Sequence, residues 1–366
     1  MKTGILTFHR AYNYGSALQA YALNRVLNDE AGTAETIDFR NVCQDELYTI
    51  FNHGKSPKDL VRNFLSLIKY RQLKQKKKSF DDFINNEIKL SGLTTYDRRE
   101  LEELNDQYDY FVCGSDQIWN VFCSDFSEVY LLDFVNDKSK CISYAASIGI
   151  GEIPEENKKM FSELLKGYKA ISVREKRGAE LIKPLVNQNV SVMPDPVVLL
   201  GREQWSELAE DAVIKGKYIL GYYIGDVPGM RDFAVKLHKK TGCKVVVINK
   251  NIRDLLYYNK KYYSAGPKEF ISLIKNAEYV CTDSFHAVMF SIIFHKNFWV
   301  FIDGKKQNSG TRIINILEKA GLTDRAVNGS SENLLIDKEI DYSGIDEIIK
   351  DMREQALNYL NQNICR

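Results

Sequence analysis

Long apolar runs, paired cysteines and a surplus of one charge are all missing from this chain of 366 residues, and each absence excludes something. No uninterrupted apolar stretch reaches the roughly 18 residues that a membrane-spanning helix needs. Seven cysteines are scattered as Cys43, Cys113, Cys123, Cys141, Cys243, Cys281 and Cys365, with no CxxC pair among them. The count is odd, and Cys113, Cys141 and Cys281 sit inside apolar, strand-like runs. They read as reduced, buried thiols rather than a disulfide framework. Lys and Arg total 50 against 49 for Asp and Glu, a net charge of +1. Bulk charge therefore steers the chain neither to nucleic acid nor to acidic membranes. Nowhere do His, Cys and carboxylates cluster at ligand spacing, so no metal and no cofactor are expected. GxGxxG and a Walker lysine are absent, which disfavours nucleotide binding by those two routes. There is no repeat of fixed period and no low-complexity tract. A strand at Gly4–Phe8 stands where the apolar core of a secretory leader would, so the expected compartment is the cytoplasm, without a signal peptide.

What is present is an alternation of short apolar runs with amphipathic stretches. Strands are expected at 3–8, 35–39, 109–113, 141–146, 169–173 and 190–193. A helix from about Ser16 carries Leu18, Tyr21, Ala22 and Val26 at helical spacing between the first two. Strand, helix, strand in succession implies a parallel sheet. The second half repeats the pattern, with strands at 218–224, 244–248, 279–282 and 298–302 and helices near 229–240, 267–276 and 284–294. Two α/β domains follow. The first, 1–196, has a helical insertion near 57–90 and closes at Met193-Pro194-Asp195-Pro196, whose prolines stop regular structure. The second spans 197–335, and a helix in 336–366 is expected to pack back on the first. Within the insertion, Arg71, Lys74, Lys76, Lys77 and Lys78 form a basic run. A solvated helix face is the plainer reading, and contact with a polyanion or a membrane surface through 71–78 is the sharper one.

Four strand-to-helix junctions carry polar residues. In open α/β sheets such junctions hold ligands, because helix N-termini offer free N–H groups. In Phe8-His9-Arg10-Ala11-Tyr12-Asn13-Tyr14-Gly15-Ser16, Gly15 allows close backbone approach; otherwise the segment is a tight turn capped by Ser16. His9 and His295 have no polar company in the sequence comparable to that of His286. In Cys113-Gly114-Ser115-Asp116-Gln117-Ile118-Trp119-Asn120, a strand delivers four polar side chains and an indole, a set that suits a hydroxyl-rich ligand. A capped helix start with Trp119 buried fits equally. Arg174, at the end of the strand Ala170–Val173, is either a fork for a carboxylate or phosphate or an ion-pair partner of Glu175 or a neighbour. His286, in Thr282-Asp283-Ser284-Phe285-His286, could move protons near neutral pH, although a lone His beside an apolar helix is more often structural.

Taken in order, the segments NYGSALQAYAL (13–23), YDYFVCGSDQIWN (108–120), SYAASIG (143–149), ISVREKRGAELI (171–182), MPDPVVLL (193–200) and TDSFHAVMFSIIFHKNFWVF (282–301) resemble the polysaccharide pyruvyltransferase family over nearly the whole chain. The resemblance implies a fold like the two-domain GT-B glycosyltransferases, with two Rossmann-like parallel-sheet domains and an active site in the cleft between them. It implies phosphoenolpyruvate as donor, a sugar or lipid-linked saccharide of a cell-surface polysaccharide as acceptor, and a pyruvate ketal as product. His286 matches the family's catalytic histidine and Arg174 an arginine that holds the donor anion. A basic residue after the next strand also belongs to the pattern, a place that Lys305, Lys306 or Arg312 could fill. Where many members carry Arg two residues before the histidine, this chain has Ser284, the S-F-H form of a branch of the family.

The mechanism expected is acid–base catalysis, with Arg174 and a basic residue from 305–312 on the donor and His286 handling a proton. Asn13, Asp116 and Gln117 would orient sugar hydroxyls, and Gly15, Ser16, Ser115 and Ser284 complete the substrate-binding set. Two rivals stand beside it: a GT-B glycosyltransferase using a nucleotide sugar, and a binding module without turnover.

Overall fold

The computed structural model describes residues 1–30, 32–51, 54, 56–212, 214–248, 260–261, 264–302, 307–327 and 338–364. The chain forms two compact units, one of 1–64, 80–200 and 351–366, the other of 65–79 and 201–350.

The first unit is built on a parallel sheet of β1 (Lys2–Leu6), β2 (Thr33–Phe39), β3 (Leu90–Thr95), β4 (Tyr110–Cys113) and β5 (Cys141–Ser143), in the order β3-β2-β1-β4-β5. Leu6 pairs with Cys113, and Cys113 with Ser143. The central strands are near-continuous apolar runs because helices cover both faces of such a sheet; Ile5, Leu6, Phe111, Val112, Cys113 and Ile142 are fully buried. Beyond β5, single parallel bridges at Ile142–Ala170 and Ala146–Val173 lead to β6 (Ile171–Val173), which pairs with β7 (Val190–Val192). The helices of this unit are α1 (Tyr14–Glu30), α2 (Val42–Leu47), α5 (Glu155–Leu165) and α6 (Lys176–Ile182), with α3 (Pro57–Ile68) up to residue 64 and α4 (Tyr70–Glu87) from residue 80. The inward stripe of α1, with Ala17, Leu18, Ala22 and Leu27, is fully buried. β3 was not among the expected strands: LSGLTT is a half-exposed edge strand with neither an apolar run nor strict alternation. α3 and α4 occupy the expected insertion, and α4 is anchored by buried Phe80, Phe83 and Ile84.

The second unit carries α7 (Arg202–Leu208), β8 (Tyr218–Tyr222), α8 (Met230–Thr241), β9 (Lys244–Val247), β10 (Lys260–Lys261), α9 (Pro267–Lys275), β11 (Tyr279–Thr282), α10 (Phe285–Ile293), β12 (Asn297–Phe301), α11 (Gln307–Lys319) and β13 (Ala326–Val327). Its parallel sheet runs β10-β9-β8-β11-β12-β13. That is the doubly wound Rossmann order, which reverses direction at its first strand. β10 and β13 are two-residue edges, too short for any periodicity. The last helix, α12 (Ser343–Ile364), closes the chain. Within its 351–364 part, Tyr359 donates to Ser143 O at 2.9 Å, and Arg353 to Val198 O and Leu200 O at 2.8 and 3.1 Å.

Candidate functional site

In the first unit the polar residues gather at the carboxyl ends of β1, β4 and β6. Asn13, rather than Ser16, caps α1: its Oδ1 accepts from Gly15 N at 2.9 Å and from Ser16 N at 3.4 Å. Ser16 Oγ instead donates to Asp116, whose other oxygen accepts from Gln117 N at 2.8 Å. The turn after β4 depends on Gly114, which sits at φ +121; a Cβ there would lie 2.1 Å from Tyr144 O. Gln19 of α1 ties the two loops together, donating to Thr7 Oγ1 at 2.9 Å and accepting from Ser115 N at 3.2 Å.

Burial sorts the residues expected at this site. Asn13, Asp116 and Gln117 keep part of their surface, whereas Gly15, Ser16 and Ser115 are buried behind them. The Ser115 hydroxyl donates to Ala145 O at 2.9 Å. The indole that a sugar could have stacked on is inside: Trp119 is fully buried, donates to Tyr130 O at 3.0 Å and packs edge-on against Phe161.

Arg174 takes the ion-pair arrangement. Its guanidinium lies 2.6 Å from Asp195 and 3.3 Å from Glu175, and both its partners are buried. Ser147 Oγ donates to Glu175 at 2.5 Å, and Asp195 caps the turn at Pro196–Val198. Burial works against the arginine's charge, but the carboxylates of Asp195, Glu175 and Asp116 outweigh it and raise its pKa. In this arrangement the cation is already matched by acidic groups.

A second cluster in this unit escaped the sequence reading. Asp38, at the end of β2, accepts from His9 Nε2 at 2.9 Å, from Arg10 at 2.8 and 2.6 Å, and from Thr94 at 2.8 Å. His9 thus has ample polar company, contrary to expectation. Its other ring nitrogen faces Thr7 O at 3.2 Å. Burial alone would raise the Asp38 pKa; His9 and Arg10 override it and hold the carboxyl far below the usual range. His295 is likewise accompanied: it stacks on Tyr342 at 4.3 Å and lies 2.7 Å from Asp346.

In the second unit the junction β11–α10 carries His286 in the first helical turn, partly exposed. Ser284 is buried as the N-cap, accepting from Ala287 N at 3.4 Å, and Thr282 Oγ1 steadies the turn by accepting from Ser284 N at 3.0 Å. Asp283 reaches across to the loop after β8, accepting from Ile224 N and Gly225 N at 2.6 Å each. Phe285 touches both candidate donor-handling groups: its ring lies 5.3 Å from that of His286 and 5.8 Å from the Arg312 guanidinium. At the start of α8, Arg231 pairs with Asp226 of the β8–α8 loop and stands 5.5 Å from the Tyr223 ring. Lys305 and Lys306 lie outside the described residues. Among the described residues, no three His, Cys, Asp or Glu side chains converge as a metal site, and no helix is long and apolar enough to cross a membrane.

Comparison with known proteins bears on this geometry. The family model of the polysaccharide pyruvyl transferases matches residues 13–303, a span containing Asn13, Asp116, Gln117, Arg174, Ser284 and His286, with Arg312 beyond its end. No curated protein matches the sequence. Among solved structures the chain is similar to AviGT4, a glycosyltransferase involved in avilamycin A biosynthesis, at 10% identity and TM-score 0.50 over 99% of this chain and 97% of that one. It is also similar to a Methanocaldococcus jannaschii UDP-GlcNAc 2-epimerase in complex with UDP-GlcNAc and UDP, at 12% identity and TM-score 0.46 over 96% and 93%. A third is the E. coli ADP-heptose LPS heptosyltransferase II, at 11% identity and TM-score 0.38 over 97% and 99%. The likeness to AviGT4 concerns fold alone: two Rossmann-like units in one chain, GT-B-like.

Proposed function

Because the chain belongs to the polysaccharide pyruvyl transferase family, and is thus a transferase, we propose that it moves a pyruvyl group from phosphoenolpyruvate to two hydroxyls of a sugar in a cell-surface polysaccharide or its precursor. The observation that carries the proposal is His286, seated in the first turn of α10 by the Ser284 cap, partly exposed and beside the Phe285 ring that Arg312 also covers.

The chemistry asks for one proton and one anion cradle. A proton delivered to the methylene carbon of phosphoenolpyruvate makes C2 electrophilic. One sugar hydroxyl adds to C2 and releases its proton; the C2–O bond to phosphate breaks, and inorganic phosphate leaves. The second hydroxyl adds at C2, loses its proton and closes the ketal. His286 is the group proposed to deliver the first proton; one of the two protons that the hydroxyls lose recharges it and the other goes to the departing phosphate. A donor with carboxylate and phosphate needs cations already in position. Arg312 is proposed for that role, with Lys305 or Lys306 as the alternatives, since the place of an arginine two residues before the histidine is taken by Ser284. Arg174, held by Asp195 and Glu175, is proposed as a positioning residue for the β6 end. Asn13, Asp116 and Gln117 are proposed to orient acceptor hydroxyls.

His286→Ala tests the assignment. The neighbours Ala287, Val288, Phe290 and Ile292 bury the helix without the imidazole, so stability should change by less than about 1 kcal/mol. Loss of a general acid or base slows turnover by roughly 10²–10⁴-fold. Phosphate release from phosphoenolpyruvate with a saccharide acceptor, read beside a melting curve, decides. Early melting with near-normal turnover per folded molecule makes His286 a packing residue and removes the mechanism.

A further inference from the structure

α3 is turned the wrong way for a helix in water. Its apolar residues Leu60, Val61, Phe64, Leu67 and Ile68 recur at i, i+1, i+4, i+7 and i+8, which places them on one stripe of the helix. That stripe faces outward: the five side chains are 60–66% exposed. Off that stripe, Asp59, Asn63, Leu65 and Ser66 are the half-buried ones. A solvated helix normally shows water the reverse pattern. Single exposed apolar residues mean little, but five on one helix mark a surface that is covered in use.

Charge identifies the cover. Residues 57–78 hold eight Lys or Arg and one Asp, in a chain whose net charge is only +1. Arg71, Lys74 and Lys78 recur at i, i+3 and i+7 on α4, all exposed, directly after the apolar stripe. Lys69 N bonds to Leu65 O and Leu73 N to Lys69 O, so helical bonding runs through the junction of the two helices. At 12 residues α3 is far too short to span a bilayer. An apolar helical face followed by cations is the composition that settles into the headgroup boundary of an anionic bilayer. A second copy of the chain would cover the apolar stripe but would bring the same positive charge against it.

We propose that α3 and the start of α4 form an interfacial anchor, with Leu60, Phe64 and Leu67 seated in the acyl boundary and Arg71, Lys74 and Lys78 among anionic headgroups. The inference is independent of the chemistry proposed above.

Flotation of the full-length protein with vesicles tests it. Phosphatidylcholine vesicles containing roughly one-third phosphatidylglycerol should carry the protein at least about tenfold more than phosphatidylcholine alone, with binding falling as salt is raised. Leu60→Gln/Phe64→Gln/Leu67→Gln keeps good helix formers at exposed positions, so melting should be unchanged while vesicle binding is lost. Arg71→Glu/Lys74→Glu should remove the preference for anionic vesicles by at least about tenfold. Failure of the wild-type protein to float, or flotation indifferent to both sets of substitutions, overturns the proposal. So does a wild-type dimer in sedimentation velocity that the Gln variant converts to monomer, with no vesicle binding by either.

Discussion

Asp38 shows how one carboxylate can organise a loop that the sequence leaves ambiguous. Its side chain is 3% exposed, yet it stays ionised because His9 and Arg10 converge on it from the segment leading into Asn13. Replacing it with Asn strands the Arg10 charge in a largely buried site, and breaking a buried pair in that way costs about 3–5 kcal/mol. The pH dependence has a definite sign. A carboxyl whose folded pKa is depressed contributes its full stability above its unfolded pKa, near ~3.9, and loses it as the pH falls from there toward the folded value. Urea denaturation of Asp38→Asn and wild type should therefore differ most at neutral pH and converge as the pH drops from about 5 toward 2. A gap that stays constant through the acid limb would mean that Asp38 is not ionised in the fold. None of this was legible in the sequence, because His9 and Arg10 lie 29 and 28 residues from their partner. Only the fold brings the β1 loop beside the end of β2. His286 was legible, since its position depends on a local strand, turn and cap within a few residues.

Strands that carry a continuous apolar run, such as β1, β4, β8, β11 and β12, announce themselves, whereas β3, β10 and β13 are edges with too little apolar area or length to register. Junctions between elements were read correctly as places where polar residues collect, but not which of those residues serve the scaffold. Arg174 is the instructive case. It joins β6, through Glu175 and Ser147, to the segment after β5, and through Asp195 to the turn after β7. From sequence, an arginine at a strand end is equally an anion fork and an ion-pair partner, and Asp195, 21 residues on, gives no local hint of its pairing. Arg174→Ala should leave two buried carboxylates without their cation and lower stability by about 3–5 kcal/mol. Thermal melting checks this, and an unchanged midpoint with weakened phosphoenolpyruvate binding would return Arg174 to the donor site. At α3 the element itself was legible as part of a helical insertion; its outward apolar face was not, because periodicity gives a stripe and not the direction in which the stripe points.

The path of the chain makes the first unit depend on its last residues. The backbone builds 1–64 and 80–200, forms the second unit, and returns through 351–366. In that return, Ala356, Leu360 and Ile364 are at most 2% exposed, Met352 and Tyr359 at most 8%. Tyr359 donates to Ser143 at the end of β5, and Arg353 donates to the carbonyls of Val198 and Leu200. Burying a large aliphatic or aromatic side chain contributes about 1.5–3 kcal/mol, so Met352, Tyr359, Leu360 and Ile364 alone are comparable to the ~5–15 kcal/mol that holds a typical domain folded. Truncation after Lys350 should therefore damage the unit farthest away in sequence. Hydrogen exchange of the truncated chain is expected to show lost protection in 141–143 and 196–200, while β8, β11 and β12, which pair only with strands of their own unit, remain protected. Soluble yield should fall as well, because removal of α12's second half opens an apolar strip on the first unit. Protection lost equally in both units would show that the last helix stabilises the molecule as a whole, and unchanged protection in both would show that its buried side chains contribute far less than their area implies.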